Sequence, residues 1–399
     1  MIYFRTLSDP RIEAEGTFRG RCQKIRSGYK PDYSIFVAYC EKEDCKCGLR
    51  LSAHPTARVR LQMIWIDNAR IIATFAVVLL HVASGVINPT ADLTSLIWWA
   101  ANLYDSSVRW CVPVFVMISG LLLLDPSKKE SILIFYKKRG SKILIPLIFW
   151  TIFYLIWDSA ISIVKGEGFS PKTLLENVIS GKPYHHMWYL YMVLTLYAFT
   201  PFLRKLVGVI SSKETMFLSL LMFVMASITW IFHQFSPASN QPFFNQFLLY
   251  LPYYFSGYLI GKCKSSLPQR VLMLIFILGI LSTASGCYLL GKTFGTNRGL
   301  YFYGYLSVTV IPTSLSFCLL LRGYERPLFR HSVIRKLASI SLGMYLIHPV
   351  FIIVFIFIGI RPKSFNPIIS IPMIALAIIF LSSMTALLFQ KIPYLRRVI

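Results

Sequence analysis

Two ionisable side chains stand at a spacing that suits chemistry. Arg70 ends the stretch Trp65-Ile66-Asp67-Asn68-Ala69-Arg70, and after the ten residues IIATFAVVLL comes His81. At 1.5 Å per residue, a helix puts the imidazole ~16 Å beyond the guanidinium. If this run crosses ~30 Å of hydrocarbon, Arg70 lies at its mouth and His81 near mid-bilayer. An imidazole there can act as general base near neutral pH, since its ordinary pKa is ~6.5. A neutral histidine hydrogen-bonded between helices fits the same pattern, so both readings stay open. Asp67 reads as the N-cap of this first span rather than as a catalytic group.

Other polar residues gather in a few places. Phe135-Tyr136-Lys137-Lys138-Arg139-Gly140-Ser141-Lys142 is either a basic membrane anchor or a phosphate site. Arg109, just before Trp110-Cys111-Val112-Pro113, either snorkels to the interface or binds an anionic or sugar-like ligand. His185-His186-Met187-Trp188-Tyr189 is an interfacial belt or a sugar platform, with an aromatic face for the ring and imidazoles for hydroxyls. His348, in Ser341-Leu342-Gly343-Met344-Tyr345-Leu346-Ile347-His348-Pro349, is a structural hydrogen bonder or shares a polar cavity with His81. Pro349 removes one helical hydrogen bond and frees a carbonyl there. Asp105 and Asp158 are acids near the spans on the outer side, and neither is an evident partner for His81.

The elements that position these groups must be membrane helices. The 399 residues are 55% hydrophobic and 15% charged, against about 25% charged in a soluble domain. Ten apolar runs of near-spanning length are expected at 69–88, 108–124, 143–164, 186–203, 215–235, 243–261, 271–290, 300–321, 338–359 and 368–390. The runs lack the alternation of a barrel, so the fold class is an all-α polytopic membrane bundle of about ten helices. The net charge of +24 does not imply nucleic acid, because the basic residues fall in short loops between the spans. With the start of span one inside, 20 basic residues lie on the cytoplasmic side and 8 on the other, which predicts cytoplasmic termini.

Residues 1–62 are polar, basic and free of a signal-peptide pattern. Cys22, Cys40, Cys45 and Cys47 match no standard zinc spacing, so no metal is expected. The membrane pattern opens at Met63, and translation from Met63 or a dispensable extension is the expectation. Residues 63–399 then form the functional domain. Cys111, Cys263, Cys287 and Cys318, scattered in apolar segments, read as packing residues.

Five blocks, in order, carry a family resemblance: WIDNARIIATFAVVLLH (65–81), VPVFVMISGLLLL (112–124), FYKKRGSKILIP (135–146), HHMWYLYMVLTLYAFTP (185–201) and SLGMYLIH (341–348). The sequence resembles the acyltransferase-3 family of membrane O-acyltransferases, and within it the enterobacterial common antigen O-acetyltransferase group. The likeness runs from Met63 to the C-terminus. It implies that Arg70 and His81 are the functional pair of span one, and that the basic element after span two binds phosphate. The family's second arginine in that element is Lys142 here, which keeps the charge and loses the planar fork.

The resemblance further implies acetyl-CoA as donor, with its phosphates near Arg70, Arg139 and Lys142. The acceptor it implies is a cell-envelope saccharide or lipid-linked glycan, engaged from the far side by Arg109, His186, Trp188 and His348. The implied setting is a bacterial inner membrane. A transporter or flippase for a lipid-linked glycan is the alternative, as is an inactive assembly subunit. No internal repeat supports transport, and the presence of both Arg70 and His81 argues for an enzyme.

Overall fold

The computed structural model describes residues 55–399 except 88–91, 165, 167–169, 236–242, 263–266 and 325. The chain divides into two units, Met1–Leu61 and Gln62–Ile399, and the bundle belongs to the second. Cys22, Cys40, Cys45, Cys47 and Cys263 lie outside the described residues, whereas Cys111, Cys287 and Cys318 are buried free thiols. The regular elements described are all helical. In chain order they are α1 (Pro55–Ser84), α2 (Leu96–Val108), α3 (Cys111–Leu123), α4 (Ile132–Val164), α5 (Pro171–Ile179), α6 (Trp188–Val209) and α7 (Ser212–Phe235). They continue with α8 (Phe243–Lys262), α9 (Gln269–Phe294), α10 (Thr296–Gly299), α11 (Val310–Gly323), α12 (His331–Phe357) and α13 (Pro367–Lys391). Short 3-10 turns occupy Leu300–Tyr303 and Leu395–Arg397.

The fold is an all-α polytopic membrane bundle. Among the described residues, eight helical segments are long and apolar enough to cross a bilayer: Ile64–Ser84, Leu96–Leu123, α4, α6, α7, α9, α12 and α13. The expected run at 243–261 is α8, a twenty-residue helix containing Pro252. The run at 300–321 is a 3-10 turn followed later by α11, whose fourteen residues reach only ~21 Å.

Three sequence expectations need correction. The second span begins earlier than 108, because α2 precedes it and joins α3 through a turn at Arg109-Trp110. Ser95 starts α2 by accepting a hydrogen bond from the Trp98 amide at 3.1 Å. The basic cluster 135–142 is helix, not loop. It forms the first turns of α4, whose 33 residues extend ~50 Å, more than hydrocarbon alone requires. Asp67 is no N-cap, since α1 is already helical from Pro55.

Burial shows where each helix sits. In the most apolar stretch of α1, 72% of residues are buried, against 22% for α4 and α7, so α1 is central and the other two face outward. Lipid offers no hydrophobic drive between helices, so close packing and hydrogen bonds hold the bundle. Gly120 of α3 lies against the Tyr254 backbone of α8, and Gly257 of α8 against the Met117 backbone of α3. Each leaves no room for a Cβ, and this pair sets the α3–α8 approach. Tyr154 of α4 donates to the Leu346 carbonyl of α12 at 2.6 Å. The Thr200 and Tyr254 hydroxyls share a 2.8 Å bond between α6 and α8.

Candidate active site

His81 lines a small, partly open cavity within the bundle. Val77, Leu80 and His81 supply one wall from α1, at the i, i+3, i+4 spacing that shares a helix face. Val112 comes from α3, Tyr345 from α12, and Trp188 and Tyr189 from the start of α6, with His186 just before it and Tyr305 after the 3-10 turn. Most of this lining is aromatic or aliphatic, and the imidazoles provide its strongest bases.

Four histidines meet here. The ring centroid of His81 is 4.9 Å from that of His185 and 5.2 Å from that of His348. His186 lies 5.5 Å from His348 and 5.6 Å from His185. His81 is partly exposed and His185 exposed, while His186 and His348 are buried. The His185-His186 turn is held inward because Tyr345 donates a hydrogen bond to the His186 carbonyl. Stacking of Tyr184 on Tyr154, at a centroid distance of 4.6 Å, supports the same turn. Neither ring nitrogen of His186 has a hydrogen-bond partner of good geometry, although the Leu346 backbone is near enough to act on it. Among the described residues, no group of three or more His, Cys, Asp or Glu side chains is arranged to hold a metal.

The Arg70 end of α1 is a second polar centre. Eleven residues carry a helix through just over three full turns, so Arg70 and His81 lie on nearly the same stripe. Arg70 faces Asp67 at 3.6 Å and stays partly exposed. Asp67 also feels His331 and Arg335 of α12. Beside it, Asn68 donates to the Arg326 carbonyl at 2.8 Å, which ties the segment before α12 to α1. The charge of Arg70 reaches the hydroxyls of both Tyr189 and Tyr197 on α6, and that of Arg139 reaches Tyr197. Tyr197 is thus within electrostatic range of guanidinium groups on α1 and α4, and Tyr189 also lines the His81 cavity.

One helix thus carries a charged group at Arg70 and a histidine-lined pocket about three turns further on. The acyltransferase domain of the acyltransferase-3 family matches residues 63–387. The chain belongs to the acyltransferase-3 family. No curated protein and no solved structure matches it.

The remaining site residues of this acyltransferase fall at various distances from the cavity. His186 and Trp188 line it. His348 does not; it stands behind His81 and His186. Arg109 does not snorkel. It is mostly buried, pairs with the fully buried Asp105, and donates to the Tyr303 carbonyl at 3.0 Å. Its guanidinium also lies over the Tyr303 ring, 4.4 Å from the centroid. The charge of Arg109 still reaches His81 and Tyr305. Arg139 is half-buried, and its Nε has no hydrogen-bond partner, whereas Lys142 one turn on is exposed.

Tyr189 lies within the sugar platform that the sequence suggests, but Tyr197, Tyr305 and Tyr345 do not stand out, because single tyrosines in apolar spans look like any interfacial aromatic. Sequence reasoning also missed His185 as a ring neighbour of His81. The His185-His186 doublet was the available signal.

Proposed function

We propose that this acyltransferase moves an acetyl group from acetyl-CoA to a hydroxyl of a cell-envelope saccharide or lipid-linked glycan. The observation that carries the reading is Arg70 and His81 on one stripe of one unbroken helix, with His81 open to an internal cavity. Arg70, Arg139 and Lys142 would hold the phosphates of the donor, as charge-assisted hydrogen bonds to phosphate favour. The acyl end would lie along Tyr197 and Tyr189 with its thioester at His81. His186 and Trp188 would receive the sugar, and Arg109 would contribute a fixed positive charge beside it.

The reaction balances on one base. His81 takes the proton of the acceptor hydroxyl as its oxygen attacks the thioester carbonyl carbon. The C–O bond forms, the C–S bond breaks, and the protonated imidazole returns its proton to the departing CoA sulfur. Transfer to saccharides of a bacterial inner membrane, with both termini cytoplasmic, is part of this reading. So is the likeness to the enterobacterial common antigen O-acetyltransferase group.

The test uses the full chain in nanodiscs, supplied with acetyl-CoA and envelope membranes from cells lacking it. CoA release with acetyl esters on envelope glycan is expected. Full turnover by His81→Ala, or no transfer by the unaltered chain, would overturn the reading.

A further inference from the structure

Among the described residues no carboxylate pairs with the catalytic base proposed above, but a buried imidazole stands beside it. Pro349 has no N–H, so the Tyr345 carbonyl four residues earlier loses its helical partner. Nδ1 of His348 lies 2.7 Å from that oxygen. A carbonyl only accepts, so Nδ1 carries the proton, and in the neutral ring Nε2 presents a bare lone pair. His348 is fully buried, and its Nε2 has no partner. A buried acceptor left unpaired costs about 1–3 kcal/mol, which is a reason to look for the donor meant for it.

Two imidazoles are close enough to supply one. His186 approaches at 5.5 Å with its plane turned 76° from that of His348. His81 approaches at 5.2 Å with its plane turned only 30°. An N–H···N bond lies in the plane of each ring but leaves the two rings free to twist about it, so distance decides, and the shorter approach favours His81. The 5.2 Å centroid distance is about that of two imidazoles sharing an N–H···N bond of ~3 Å. Such contacts in a free enzyme are often loose and tighten around substrate.

We propose that His348 is the positioning residue for His81. The chain of contacts runs from the carbonyl freed by Pro349 to His348 Nδ1–H, and from His348 Nε2 to an N–H of His81. With that proton committed to His348, the other ring nitrogen of His81 is bare and faces the cavity. It takes the proton of the acceptor hydroxyl, and the imidazolium so formed keeps its second N–H on His348. This assignment rests on His81 being the base of acyl transfer. It gives His348 a role behind the cavity wall instead of contact with the sugar.

The experiment has two arms. In the first, 15N chemical shifts of the histidines, assigned by single substitutions, are read from the full chain in nanodiscs without donor or acceptor. One fixed tautomer of His81 is expected. His348→Phe should convert it to a mixture, as should Pro349→Ala, which restores an amide competitor for the Tyr345 carbonyl. In the second, acetyl transfer to envelope membranes is followed. His348→Phe, nearly matched in size, should lower kcat about 100-fold, as loss of tautomer control over a base does, with KM for acetyl-CoA unchanged. His348→Gln, which can place an amide oxygen near the Nε2 position, should stay within about tenfold of the unaltered chain. A packing role predicts the reverse order, with Phe tolerated and Gln harmful. That order, or a mixed His81 tautomer in the unaltered chain, would overturn the proposal. A fixed tautomer without any acetyl transfer would instead count against the reading of function.

Discussion

The imidazole of His348 holds the carbonyl oxygen of Tyr345, and the proline that follows His348 explains why that oxygen is available. Helical carbonyls ordinarily accept from the amide four residues later, and here that residue is Pro349. The side chain takes the place of the missing amide. A local sequence pattern, His-Pro in a buried helix, thus fixes the orientation of a ring beside the candidate base.

Loss of that base should be nearly complete. His81→Ala is expected to lower acetyl transfer by a factor of about 10²–10⁴, the range that a positioned general base contributes. CoA release measures it. The cavity is already partly open at His81, so the thermal unfolding midpoint in detergent should change little.

The basic residues near the Arg70 end should act unequally. Arg70→Ala should raise KM for acetyl-CoA by about 10- to 100-fold, the worth of one charged hydrogen-bonding group. Arg139→Ala should raise it more than Lys142→Ala, because Arg139 is turned partly inward and Lys142 is exposed. Titration of acetyl-CoA against initial rate checks the order.

The ion pair of Asp105 and Arg109 should behave as a buried couple. Arg109→Met leaves the Asp105 carboxylate without its counter-charge, a loss worth about 3–5 kcal/mol. Asp105→Leu with Arg109→Met should recover much of that stability and remain poor in acyl transfer. Thermal unfolding and CoA release, measured on the single and double variants, separate the two effects.

Close approach of α3 to α8 should be intolerant of bulk. Gly257→Leu sets a side chain against the Met117 backbone, and neither helix can yield without shifting its other contacts. Loss of the monodisperse peak in size-exclusion chromatography is expected. Gly140→Leu, with open space around its Cβ position, should elute like the unaltered chain.

Acid should weaken one tie between α4 and α6. The largest single influence on Glu130 is burial, which pushes its pKa up. The hydrogen bond from Arg204 and the charges of Arg204, Lys138 and Arg139 outweigh it and hold the carboxyl below its ordinary value. A carboxyl depressed on folding contributes stability fully above its unfolded value of about 4.3 and loses it as pH falls through the lower folded value. Glu130→Gln should therefore lower the unfolding midpoint at pH 7 and make the difference vanish towards pH 3.

Much of the bundle was legible because lipid imposes a simple code. Runs of apolar residues near the length of a crossing marked most helices, and Arg70 and His81 stood out as charges or bases that hydrocarbon would reject. The helix α2 was hidden. Its sequence LIWWAANLYDSSV carries Asn102, Asp105 and Ser106, which read as loop yet are buried. The partners of Asn102 are remote in sequence: it donates to the Ala284 carbonyl and accepts from the Tyr303 hydroxyl. The start of α4 was hidden for a similar reason, since a basic cluster masks a helix from hydropathy. Asp67 looked like a cap because capping and mid-helix ion pairing use the same side chain, and only the course of residues 55–66 distinguishes them.

The unbroken course of α1 has one more consequence. The rise per residue of a helix is fixed, so the interval from Arg70 to His81 is a yardstick of ~16 Å. A donor gripped at one mark and consumed at the other must carry its acyl group on an arm of matching reach. Selection would then fall on the length of the carrier before the chemistry of its cargo. A compact activated acetate such as acetyl phosphate, however reactive, would fall short of the second mark.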